Sequence, residues 1–196
     1  MDIQNLITSA LNNQVIGQMS KSLGVDDSKV SSVISMAVPA ILGQMNKNAQ
    51  TPQGAESLNN ALKDHSGSIL DNLGGLLGGG TTNNAEGESI LNHIFGGKQE
   101  QLAQNLGAQA GLSSGNTMQI LSSIAPLIMG FLGKEKQQGN LNASNLTGVL
   151  GNLFSSATQG GDKNMVEKLL DQNGDGSITD DLMNMGSNLL KGFFKK

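Results

Sequence analysis

Residues 120–133 read ILSSIAPLIMGFLG, the longest apolar run of the chain, and they carry a proline where a helix would be uninterrupted. A similar run lies upstream, where residues 33–43 read VISMAVPAILG. With Pro39 set on Pro126 the neighbours fall into register. Gly24 meets Gly111, Val25 meets Leu112, Ser35 meets Ser122, Gly43 meets Gly130 and Lys47 meets Lys134. The chain reads as two copies of one helical unit, followed by an acidic loop and an amphipathic tail. Proline inside a helix removes one backbone hydrogen bond and crowds the carbonyl four residues back. Each central helix is therefore expected to kink near Ser35 and Ser122, where a hydroxyl stands ready for the freed carbonyl or its water. The glycines four residues after each proline are expected to let another helix approach closely. Both runs fall short of the about 20 apolar residues that a bilayer span needs, and Asn, Gln, Ser and Lys flank them. They read as helices buried on all sides, and membrane contact is not expected.

The composition narrows the class. A chain of 196 residues has room for one domain with a sizeable core or for two small ones. Apolar residues make up 37% and charged residues only 14%, so Asn, Gln and Ser fill much of the surface. All twelve basic residues are Lys, Trp and Tyr are absent, and the net charge is −4. Nucleic acid is bound with Arg/Lys patches and stacking aromatics, so it is not an expected partner. The absence of Cys excludes disulfides, thiolate catalysis and Cys-based zinc sites. The N-terminal stretch MDIQNLITSALNNQVIG has neither a basic region nor a continuous apolar one. It does not read as a secretory signal, and a cytoplasmic address is expected.

Periodicity predicts an all-α chain. Ile3, Leu6, Ile7, Ala10, Leu11, Val15, Ile16 and Met19 recur at three- and four-residue spacings, with Gly24 as a stop. Asp26 or Asp27 is placed to cap the next helix, which carries the first proline run to about residue 48. Thr51-Pro52 opens a helix over 52–63, with Leu58 and Leu62 inward. Residues 78–88, GGGTTNNAEGE, show no periodicity and read as a flexible linker. Short helices are expected over 89–95 and 98–110, then the second proline helix to about 136, then a helix over 142–156. The resulting division is a first helical unit at 1–77, the linker at 78–88, a second unit at 89–160, and the loop and tail at 161–196.

One motif carries chemistry. Residues 171–181 read DQNGDGSITDD and open as EF-hand loops do. Asp171, Asn173 and Asp175 supply oxygens at positions one, three and five, Gly176 makes the turn, and Ser177 offers its carbonyl at seven. An EF-hand closes with a bidentate Glu at position twelve, where this chain has Leu182. Asp180 or Asp181 must then close the site from the first turn of the tail helix. The alternative is a metal-free turn that caps a helix. Four carboxylates within eleven residues repel one another unless a cation joins them, and calcium is the expected ligand. Residues 64–71 resemble a decayed partner, but Leu62 and Ser66 stand where the acidic loop has Asp171 and Asp175, which favours a structural turn.

Other motifs read as structure. Gly111-Leu-Ser113-Ser-Gly115 matches G-x-S-x-G, but a nucleophile elbow needs a strand before it and a His after it, and neither His follows. Ser113 is expected to be a helix cap. His65 and His93 stand without a paired motif and read as core or solvated histidines. In the tail, Leu182, Met185, Leu189 and Phe193 form one apolar stripe, with Lys191, Lys195 and Lys196 at the end. That stripe fits docking on the protein's own core, self-association or an interfacial membrane helix, and the short basic end is weak for the last.

Residues 111–134, GLSSGNTMQILSSIAPLIMGFLGK, and 90–99, ILNHIFGGKQ, resemble the bacterial YidB-like family, a domain family of unknown function. Residues 23–48, LGVDDSKVSSVISMAVPAILGQMNKN, are similar to that family's N-terminal unit. The resemblance implies a helical fold and carries over no activity. Taken together, the residues favour a non-catalytic, calcium-stabilised helical protein that works by self-association or by binding a protein partner. The alternative is a binder of a small apolar ligand, or an enzyme, with a pocket between the two units.

Overall fold

A computed structural model describes residues 13–65 and 82–158. Those residues form helices with no strand among them: α1 (Asn13–Leu23), α2 (Asp27–Asn48), α3 (Pro52–Asp64), α4 (Thr82–Phe95), α5 (Gln99–Ala110), α6 (Ser114–Gln137) and α7 (Leu146–Thr158). The all-α class read from periodicity holds. The expected first helix lies in part outside the described residues, and the acidic loop and the tail lie wholly outside them.

The corners that precede the two long helices share one geometry. Gly24 and Gly111 take left-handed φ values of 65° and 66°, which a side chain would strain. In each, the next residue's N–H bonds back over the corner: Val25 to the Ser20 carbonyl at 3.0 Å, and Leu112 to the Gly107 carbonyl at 2.8 Å. This is the Schellman closure of α1 and α5. The starts differ in chemistry. Ser113 Oγ accepts the Asn116 N–H at 3.2 Å and caps α6. Asp26 takes the cap position of α2 without a side-chain cap bond. Asp27 instead accepts a hydrogen bond from the buried Ser20 hydroxyl, which ties α2 to α1.

α6 is the centre of the core, and α4, α5, α2 and α3 all pack on it. Ile120, Leu121, Ile124, Leu127, Ile128, Phe131 and Leu132 are buried along it, as Val38, Ile41 and Leu42 are along α2. The α6 run is buried nearly throughout, whereas the α2 run leaves Ser35 exposed and Met36 and Gly43 half-buried. At 24 residues, the whole of α6 has the length and composition to cross a membrane, although its apolar run alone is too short. Its neighbours bury most of that surface, which accounts for the apolarity.

Both long helices continue through their prolines. The serine hydroxyls do not take the role expected of them. Ser35 Oγ donates to the Ser31 carbonyl at 2.9 Å, and Ser122 Oγ is buried with no partner among the described residues. The Ser122 carbonyl, which Pro126 cannot serve, is met instead by Gly87 of α4, where a Cβ would overlap it. A Cα–H group against a carbonyl is a weak hydrogen bond, and here it fills the gap left by proline. A second close approach occurs at Gly133, where a Cβ would overlap the His65 carbonyl at the end of α3.

Two boundaries differ from those expected. Helix α4 begins at Thr82, inside the stretch 78–88 that reads as a linker. Its buried Ile90, Leu91 and Ile94, and the seat of Gly87 on α6, stabilise a segment with poor propensity of its own. Helix α7 begins at Leu146 rather than Asn142. Asn142 Oδ1 accepts from the N–H groups of Ser144 and Asn145 at 3.0 and 3.2 Å, a side-chain turn that holds the chain outside the helix.

Two glycine substitutions are expected to act in opposite directions. Gly87→Ala should lose about 1–3 kcal/mol, because the methyl must push α4 off α6. Gly148→Ala, with open space around its position, should gain about 0.5–1 kcal/mol from restricting the unfolded chain. Denaturant unfolding of both variants measures the contrast.

Candidate functional site

The six metal ligands expected from sequence, Asp171, Asn173, Asp175, Ser177, Asp180 and Asp181, all lie outside the described residues. So does all of the 64–71 turn except Asp64 and His65. Among the described residues, no three of His, Asp and Glu converge where they would hold a metal ion.

The described chemistry gathers where α3, α4 and α6 meet. His65 follows the last residue of α3, and its carbonyl is pressed on Gly133 of α6. That anchor brings its ring to α4, where Nδ1 stands 3.5 Å from Glu86 Oε1. The imidazole is mostly buried, at 18% exposure, whereas the Glu86 side chain is 44% exposed. The contact is an ion pair when the ring is protonated, and at this exposure it contributes little to stability. Local sequence gives no sign of it, because the two residues meet only through their shared neighbour α6. His93 is exposed on α4, as a solvated histidine would be.

Polar contacts elsewhere tie helix ends together. Asn48 Nδ2 donates to the Ile94 carbonyl at 2.8 Å, and Gln44 Nε2 donates to Asn48 Oδ1 at 3.0 Å. These bonds serve the carbonyl end of α4, which has no helical partner. Thr147 Oγ1 donates to the Ala49 carbonyl at 3.1 Å and does the same for α2. Lys136 Nζ donates to Asn59 Oδ1 and joins α6 to α3. Among the described residues, buried oxygens on Asn46, Gln99 and Ser122 have no partner. Ser113 is engaged as the cap of α6 in a loop between two helices, so the G-x-S-x-G match is structural.

A family model described as "Bacterial protein of unknown function (DUF937)" matches residues 5–135, more than half of the chain. No curated protein and no solved structure matches it.

Removing the hydroxyl at Ser113 should act as loss of a cap. Ser113→Ala is expected to cost about 1 kcal/mol of stability, read from the midpoint of a denaturant titration.

Proposed function

The chain belongs to that bacterial family of unknown function, and from this premise we propose that it is a non-catalytic helical protein that acts by self-association or by binding a partner. A calcium-type loop, in this reading, stabilises its C-terminal part. The observation that carries the binding role is the face left on α7. Leu146 and Leu150 are buried, while Val149, Leu153 and Phe154 are only half-buried. Met36 and Met118 are half-buried apolar residues of the same kind, and methionine adapts readily to varied partners.

The proposal includes two related units, each built round a proline-bearing helix that bends where proline removes its backbone bond. Matching corners at Gly24 and Gly111 support the relationship. So does matching burial: Val30, Val33, Ile41 and Met45 on α2, and Thr117, Ile120, Ile128 and Leu132 on α6, occupy equivalent positions and are all buried. Calcium rests on the oxygen spacing of residues 171–181. Asp180 and Asp181 also begin the tail helix in this reading, so the ion would order loop and tail together.

Thermal melts with calcium and with chelator test it. At a calcium concentration 100 times the dissociation constant, one site should contribute about 2.7 kcal/mol. Chelator should lower the melting temperature and speed proteolysis within residues 189–194. Asp175→Ala should behave like chelator, whereas Asp71→Ala should not. Magnesium should substitute poorly, since it demands tighter octahedral geometry. Identical melts in both conditions, with no calcium heat on titration, would remove calcium from the proposal. Light scattering on the same samples reads the association.

A further inference from the structure

We infer that α3 and α7 are a pair of crossed straps that hold the two central helices together and release as one, an inference that rests on the related units proposed above. The register that sets Pro39 on Pro126 extends back through the shorter helices before them. It sets Val15, Met19 and Ser20 of α1 on Leu102, Leu106 and Gly107 of α5, and all of these are buried. The helices α1–α2–α3 and α5–α6–α7 are thus matching triplets, and α4 has no counterpart among the described residues. The third helix of each triplet lies mainly against the central helix of the other, α3 on α6 and α7 on α2.

The straps cross at matching points. On α6, Lys136 donates to Asn59 of α3. By register its counterpart on α2 is Ala49, whose carbonyl accepts from the Thr147 hydroxyl of α7 at 3.1 Å. Gly133 of α6 lies under α3 at Leu62 and His65, and its counterpart Asn46 lies under Gly151 of α7. Leu62 stands three residues after Asn59, Leu150 stands three after Thr147, and both side chains are fully buried. Each element also meets its own counterpart, α2 touching α6 and α3 touching α7. That is the isologous pairing of a symmetric dimer, realised within one chain. Lifting α3 uncovers Leu62 and frees α6 to move from α2. That movement carries α7, seated on α2, away from the α3 surface it touches. Opening one strap therefore lowers the cost of opening the other.

Amide hydrogen exchange on the full chain under native conditions tests this, because it reads opening segment by segment. Gly133→Ala puts a methyl where the His65 carbonyl lies and so loosens α3 from α6. Exchange in α3 should rise about tenfold, and exchange in α7 should rise by the same factor, although the change is made under α3. Helices α1 and α5, which are not straps, should change far less. Thr147→Val works from the other side and is mild enough to keep the fold. It removes the bond to the Ala49 carbonyl and should speed exchange in both straps about two- to tenfold. Gly148→Ala, on α7 with open space around it, should speed neither. A rise confined to the strap whose seat was changed overturns the joint release and leaves the related units standing. An equal rise in every helix overturns it as well, since the straps then have no opening of their own. If neither Gly133→Ala nor Thr147→Val speeds exchange in α3 or α7, the matched seats are wrong and the relationship between the triplets falls with them.

Discussion

Removal of one backbone N–H at Pro126 sets the terms for how the described helices assemble. Proline leaves the Ser122 carbonyl without its helical partner in the middle of the most buried helix. An unserved carbonyl in an apolar interior costs free energy, and water is poorly placed to reach this one. Gly87 answers it by bringing the α4 backbone into contact. That approach lets Ile90, Leu91 and Ile94 bury on α6, and α5 and α6 then follow through the corner at Gly111.

The core was legible because its signal is local. Proline runs, apolar spacing and caps at Thr51 and Ser113 are written in adjacent residues, and among the described residues the apolar residues of the proline runs are largely buried and both caps are bonded as read. Helix α4 was less legible at its start. Residues 82–88 carry little apolar periodicity, and what makes them helical is a contact with α6 far along the chain. The His65–Glu86 pair escaped for the same reason. Asn142 shows the opposite failure: its apolar neighbours suggest a helix, but an amide that bonds its own backbone wins locally. The acidic loop at 171–181 is legible as a pattern of oxygens, and it lies outside the described residues.

The division into two successive units takes a different meaning once packing is known. Register relates residues 24–47 to 111–134, yet α2 is covered largely by helices of the second half, whereas α6 is covered chiefly by α4 and α5 of its own half and also by α2 and α3. Leu62 on α3, which packs mainly on α6, and Leu146 and Leu150 on α7, which packs mainly on α2, are all fully buried. A single hydrophobic core under the described helices is what a chain of this modest apolar content needs, since small separate cores are marginal.

Gly133 shows what this arrangement means for inheritance. Its missing side chain is a condition for where α3 ends, at a residue far back along the chain. A methyl gained there in one generation is compensated only by a change near Leu62 or His65, not by anything beside it. Drift in the first half is thus filtered by the second, and an alignment of descendants should carry paired changes that join α3 to α6.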